Sequence, residues 1–357
     1  MSKYWSGLVR NIEPYVPGEQ PKDKTYIKLN TNENPYPPSP KVLEAMKQAA
    51  NENIRLYPTP TCDELRSCIA QYYGLTNKEQ VFMGNGSDEL LAFVFLAFFN
   101  PGSPILFPDI TYSFYPVYAS LFHIDYRPVP LDGNFSIPIK EFFKKNGGII
   151  FPNPNAPTGK YITLGSIEDI LKQNTNQVVV VDEAYIDFGG ESAVKLINNY
   201  PNLLVVQTLS KSRSLAGLRV GFAMGHEDLI EGINRVKNSI NSYTLDRVAL
   251  AGAMASFADE EYFQNTRRKV IATREKTIFR LLEIGFTVIP SQANFIFISH
   301  PLTSAGDIYQ QLREKGILVR YFNKPRIDNF LRVSIGSDEE MEYFLKALAE
   351  IIDAVCP

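Results

Sequence analysis

Histidine and cysteine are scarce, three of each in 357 residues. Cys62, Cys68 and Cys356 form neither a metal-ligand spacing nor an even-numbered disulfide framework, and the histidines make no cluster. A structural metal and an oxidised scaffold are therefore not expected. A surplus of one charge sign is also missing, because 36 Lys and Arg stand against 39 Asp and Glu, a formal net charge of -3. That leaves no basic field for a nucleic-acid backbone or an anionic membrane, so any anionic ligand must be gripped locally. Long apolar runs are absent too. The most apolar stretch, Leu90 to Phe99, stops at Asn100-Pro101-Gly102, which is the length of a buried helix and well short of a membrane span. No basic region leads into an apolar run at the N-terminus, so no secretory signal is expected and the chain reads as cytoplasmic. Without a repeat or a low-complexity tract, solenoids and propellers are disfavoured.

What is present is a globular composition, 45% hydrophobic, 12% aromatic and 21% charged, which excludes an intrinsically disordered chain. The length suits two domains. Residues 1–28 are polar and carry Pro14, Pro17 and Pro21, which resist helix and sheet, so they read as an extended arm lying across the small domain or a partner. Residues 29–255 read as a large domain. Within it the apolar runs Val81 to Met83, Ile105 to Phe107, Ile149 to Phe151, Val178 to Val181 and Leu203 to Val206 alternate with helix-length segments. Continuous apolar runs spaced in this way predict a mostly parallel sheet sandwiched by helices, an α/β fold. Residues 256–357 predict a smaller α+β domain, with a charged helix through Arg267 and Arg274, strands near Phe286 to Ile289, Phe295 to Ile298 and Leu331 to Ile335, and a closing helix from Asp338 to Val355.

Ligands of open α/β sheets bind beyond the carboxyl ends of the strands. After Val81 to Met83 comes Gly84-Asn85-Gly86-Ser87-Asp88-Glu89 and then an apolar helix, which is either a phosphate cradle or simply a helix cap. After Val178 to Val181 comes Asp182, a carboxylate at the mouth of a buried strand or a helix-capping residue. After Leu203 to Val206 comes Ser210-Lys211-Ser212, with Arg219 beyond a small-residue stretch that would let ligand and backbone approach closely. A lysine is most often an ordinary surface residue. Partly desolvated beside a second cation, however, it becomes an amine nucleophile. A reactive lysine, a carboxylate, a phosphate cradle and hydroxyls at one sheet edge together suit pyridoxal phosphate.

Eight segments in order carry a family resemblance: Leu29 to Pro35, Arg55-Leu56-Tyr57-Pro58, Gly84 to Glu89, Asn153-Pro154-Asn155-Ala156-Pro157-Thr158-Gly159, Val181 to Tyr185, Ser210-Lys211, Ala216 to Arg219 and Leu331 to Gly336. The chain resembles the fold-type-I, pyridoxal-phosphate-dependent aminotransferases of the class II subfamily over nearly its whole length, and within them the histidinol-phosphate branch. That resemblance implies that Lys211 carries the cofactor and moves the substrate proton. Asp182 pairs with the pyridine nitrogen, Tyr185 donates to the ring oxygen O3′ and Tyr112 stacks on the ring. Ser87, Asp88, Ser210 and Arg219 hold the cofactor phosphate, and Tyr57 reaches it from the other subunit of a homodimer. Arg332 holds the substrate carboxylate, Arg320 and Tyr15 its phosphate, and Asn32 lies among the substrate-binding residues. The implied reaction exchanges histidinol phosphate and imidazole-acetol phosphate with 2-oxoglutarate and glutamate, in histidine biosynthesis. Aromatic amino-acid aminotransferases and decarboxylases of threonine phosphate share the same core residues, and the pair Arg320 and Arg332 favours a phosphorylated substrate. One position departs from the pattern. Where the family has an Asn directly before Pro-Thr-Gly this chain has Ala156, so either Tyr185 alone serves O3′ or Asn155 reaches round.

Overall fold

The computed structural model describes residues 2–354; Cys356 and the expected helix end at Val355 lie outside them. Seven strands form the central sheet: β1 (Val81–Asn85), β2 (Ile105–Pro108), β3 (Tyr126–Val129), β4 (Ile149–Pro152), β5 (Val179–Asp182), β6 (Leu203–Thr208) and β7 (Val220–Gly225). Their spatial order is β1-β7-β6-β5-β4-β2-β3. Burial on both faces explains why these strands read as unbroken apolar runs. In β5, Val179 and Val181 join the core on one face while Val180 joins that on the other.

The sheet is parallel except at β7, which runs against both β1 and β6. This strand is missing from the expected set, as is the edge strand β3. Val220-Gly221-Phe222-Ala223-Met224-Gly225 alternates small and large residues, and that pattern hides a strand from a search for β-branched runs. The reversal has a consequence for chemistry. Residues that precede β7, Arg219 above all, arrive at the same sheet edge as residues that follow the parallel strands.

A second sheet has the order β10-β11-β9-β8, built from β8 (Thr287–Ile289), β9 (Phe295–Ser299), β10 (Arg320–Tyr321) and β11 (Leu331–Ser334). Helices Glu260–Glu283 and Asp338–Asp353 pack on it, the latter started by a capping box between Ser337 and Glu340. Within the first 28 residues, Gly7–Asn11 form a short helix capped by Ser6, ahead of the prolines that forbid one later. The rest of that segment is extended and tied to the second sheet's side. Ile27 and Lys28 pair in parallel with Ile317 and Leu318, and Glu19 accepts from Tyr309 and Arg313.

Candidate active site

Where the carboxyl ends of the central strands face the second sheet, a cleft is lined by Ser87, Asp88, Tyr112, Asp182, Tyr185, Ser210, Lys211 and Arg219, with Tyr15, Asn32, Arg320 and Arg332 opposite. Twelve of the expected residues, the twelve just named, thus converge. Tyr57 does not: it is 78% exposed and stacks on Tyr243 at 4.6 Å, beside the exposed Ile54 and Leu56.

Lys211 follows the buried β6 directly, and its Nζ donates to the carbonyl of Thr31 at 3.2 Å. Burial first, and the Arg332 guanidinium second, pull its ammonium down from 10.5 to about 8. The loop that bears it is held by Asn34, whose Nδ2 donates to the carbonyls of Lys211 and Ser212.

Asp182 ends β5. Its Oδ2 accepts from Tyr115 Oη at 3.0 Å and its Oδ1 from the amide of Ala184. Burial raises the carboxyl to about 6, against the lowering effect of those two donors. Among the described residues no side-chain cation pairs with it, so a buried carboxylate stands ready for a cationic ring nitrogen. Nothing in the sequence singles out Tyr115 among the tyrosines near it, Tyr112 and Tyr118.

The helix Gly86–Phe98 starts straight after β1, and no side chain caps it. Its first amides are therefore free to bind an anion. Space for one is kept by two glycines: a Cβ on Gly221 would stand 2.6 Å from the Ser87 nitrogen, and one on Gly86, at φ +74°, would collide with the Arg219 guanidinium. Arg219 itself has φ +54°. It reaches Asp88 Oδ2 at 3.1 Å, while Tyr112 Oη donates to Asp88 Oδ1 at 2.7 Å. At Gly217, before Arg219, no other protein atom lies within 4 Å of a Cβ, whereas Gly86 and Gly221 stand at close approaches of the chain to itself.

Of the two alternatives at Ala156, Tyr185 alone or Asn155 reaching round, the hydrogen bonds of Asn155 favour the first. Asn155 Nδ2 is spent on the carbonyl of Ile110 and on Thr158 Oγ1, and only Ala156 and Pro157 of that turn line the cleft. A different amide approaches Tyr185: Asn32 Nδ2 donates to its Oη at 3.0 Å.

On the opposite wall Arg320 and Arg332 are direct cross-strand partners. Like charges in that register repel unless an anion lies between them, and among the described residues no carboxylate is paired with either. Arg332 donates through Nη2 to the carbonyl of Asn30, leaving its buried Nε without a partner. Arg320 makes long bonds to the carbonyls of Val16 and Pro17 at 3.3 and 3.4 Å. Tyr15 stacks on Phe114 at 4.2 Å. Free amides at a helix start, a buried carboxylate that no side-chain cation among the described residues pairs with, a lysine of lowered proton affinity and hydroxyls all stand in one cleft, and together they fit pyridoxal phosphate.

Comparison with known proteins agrees with this chemistry. Residues 24–348 match the family described as aminotransferase class I and II. The histidinol-phosphate aminotransferase of Clostridium acetobutylicum is 62% identical over 352 residues, 99% of this chain and 100% of that one. That of Clostridium beijerinckii is 61% identical over 99% of this chain and 98% of its own. Among solved structures, the Sinorhizobium meliloti histidinol-phosphate aminotransferase in complex with pyridoxal-5'-phosphate shares the fold at a TM-score of 0.89, with 22% identity and 99% of both chains covered. Among the described residues no helix is long and apolar enough to cross a membrane. A family match over most of the chain, relatives of equal length at high identity and a cleft suited to the cofactor lead to one conclusion: this chain belongs to the aminotransferase class I and II family.

Proposed function

We propose that the chain is a pyridoxal-phosphate-dependent aminotransferase that converts imidazole-acetol phosphate and glutamate to histidinol phosphate and 2-oxoglutarate, in histidine biosynthesis. The observation that carries the substrate is the cross-strand pair Arg320 and Arg332, two guanidiniums without carboxylate partners opening on the cleft that holds Lys211. Arg332 suits a planar carboxylate, and Arg320 with Tyr15 suits the second anionic group, a carboxylate of glutamate or the phosphate of histidinol phosphate.

Pyridoxal phosphate, when bound, supplies an aldehyde for the substrate amine and an electron-poor ring that stabilises negative charge at the substrate carbon. The amides of Ser87 and Asp88, the Ser210 hydroxyl and Arg219 would hold its phosphate. Asp182 would keep a proton on its ring nitrogen, Tyr185 would donate to its ring oxygen and Tyr112 would cover its ring. Lys211 Nζ, with its affinity for protons lowered by burial, would accept the proton of the substrate carbon. Holding that amine next to the carbon makes the transfer intramolecular.

The division into an arm (1–28), a cofactor-bearing body (29–255) and a small domain (256–357) belongs to this reading, as does a cytoplasmic location. So does a homodimer, in which the exposed Tyr57 with Ile54, Leu56 and Tyr243 meets the second subunit and Tyr57 reaches its phosphate site. A spectral half-reaction tests the function. The protein loaded with pyridoxal phosphate should lose its visible band on addition of histidinol phosphate without any keto acid. A faster response to phenylalanine would move the substrate to aromatic amino acids, and no visible band at all would overturn the reading.

A further inference from the structure

Every polar group of Asn32 is engaged. Its backbone N–H donates to Ser334 Oγ at 2.8 Å, its carbonyl accepts from Asn294 Nδ2 at 3.0 Å, its Oδ1 accepts from Ser334 Oγ at 2.9 Å and its Nδ2 donates to Tyr185 Oη at 3.0 Å. The residue is 1% exposed and sits at φ +55°, a conformation that Asn tolerates better than most side chains. So many anchors on one strained residue fix its amide in one orientation.

The direction of each bond follows from the donor that admits no choice. A backbone N–H can only donate, so Ser334 Oγ accepts from Asn32, and the hydroxyl's single proton is left to donate in turn. In this buried place its acceptor is Asn32 Oδ1, so the amide oxygen faces Ser334 and the NH₂ faces Tyr185. Flipping the amide would leave the Ser334 proton without an acceptor, at the cost of a buried unsatisfied donor. Because Tyr185 Oη accepts from Asn32, the phenol's one proton must go elsewhere. The ring lies edge-on against Phe295, and the cleft that Tyr185 lines is on its open side.

We propose that Asn32 and Ser334 are positioning residues that hold Tyr185 as a hydrogen-bond donor into the cofactor cleft, rather than groups that bind the substrate. The relay spans the two sheets: Ser334 ends β11 of the second, and Tyr185 follows β5 of the first. It also supplies the fixed amide that the turn at Ala156 lacks. This assignment rests on the function proposed above. The charged groups facing Tyr185 are Arg332, Asp182 and Asp88, with Lys211 Nζ 5.9 Å from its ring centroid.

The test titrates the visible band of the pyridoxal-phosphate-loaded protein against pH in wild type, Asn32→Asp, Tyr185→Phe and the double variant. A carboxylate at position 32 keeps the shape but accepts from Tyr185, turning the proton away from the cleft. The midpoint should rise by about one pH unit in Asn32→Asp, as in Tyr185→Phe, and the double variant should add nothing further. The Michaelis constant for glutamate should stay within about twofold. Ser334→Ala should shift the midpoint in the same direction and Ser334→Thr restore it, which keeps the test decisive should Asn32→Asp fold poorly. An equal shift of Asn32→Asp with and without the Tyr185 hydroxyl would mean a bare charge effect and overturn the proposal. So would an unmoved midpoint, or a Michaelis constant that rises while the midpoint holds. Wild-type protein that forms no visible band would instead overturn the function itself.

Discussion

Tyr115 Oη donates to Asp182 Oδ2 at 3.0 Å, from a helix that covers the sheet to the end of β5. A fully buried phenol thus supports the carboxylate proposed to hold charge on a cofactor ring. Tyr115→Phe removes a hydrogen bond to a charged group, about 1.5 to 3 kcal/mol. Asp182, already raised to about 6 by burial, would rise further and be neutral over more of the physiological range. Retention of pyridoxal phosphate and turnover should each fall by about tenfold or more, with the circular dichroism spectrum unchanged. Unaltered retention would show that the pair is only structural.

Lys211 sets a pH dependence for cofactor loading. Its amine is protonated, and not nucleophilic, below about 8, so the rate at which apoprotein gains its visible band should rise with pH through a midpoint near about 8. Stability follows the same sign. The folded value lies below the 10.5 of an unfolded lysine, so burying the charge penalises the folded apoprotein fully below about 8, and that penalty fades as pH rises from there to 10.5. Lys211→Met should therefore raise the melting temperature of the apoprotein at neutral pH while abolishing transamination. Thermal melts at pH 7 on the two proteins check this.

Two glycines four residues apart, Gly217 and Gly221, make opposite predictions. Gly221→Ala places a Cβ 2.6 Å from the Ser87 nitrogen, forcing β7 away from the helix that begins at Gly86. Overpacking of this kind costs about 1 to 3 kcal/mol, and it should weaken binding of pyridoxal phosphate as well. Gly217→Ala meets nothing within 4 Å and should be neutral for both. Equilibrium unfolding and cofactor titration on the pair would separate the two positions.

Arg320→Ala should discriminate between substrates. Losing a charge-assisted contact to a phosphate should raise the Michaelis constant for histidinol phosphate by about tenfold to a hundredfold. Arg332→Ala, which removes the carboxylate partner, should impair glutamate more strongly. Steady-state kinetics with each substrate varied in turn would show whether the two guanidiniums divide the work.

Dimerisation carries its own test. Sedimentation should give twice the mass of one chain, and Tyr57→Phe should loosen the cofactor although Tyr57 lies outside its own subunit's cleft. A monomer with full cofactor affinity would contradict the proposed role of Tyr57.

Much of the central sheet could be read in the chain because strands buried on both faces must be apolar throughout. Val179 to Val181 and Leu203 to Val206 announce themselves, and the residues after them fall at the ligand-binding edge by topology alone. The strand β7 is not legible as an apolar run because Gly221 lets Ser87 and Gly86 come close, a need that arises only once β1 and β7 are neighbours. Likewise Asn155 and Asn32 cannot be told apart by composition. One amide is consumed by Ile110 and Thr158, the other is aimed at Tyr185, and that depends on backbone direction.

Local order in the chain therefore determined the α/β architecture, the lysine and carboxylate at the strand ends and the family to which they belong, since each is written within a few consecutive residues. Tertiary structure decided the rest. It set Arg320 opposite Arg332, brought Tyr115 to Asp182 across 67 residues and Ser334 to Asn32 across 302, and turned Tyr57 outward. Hydrogen-bond direction and charge pairing are properties of atoms held about 3 Å apart, and only the folded chain brings residues so distant in sequence within that reach.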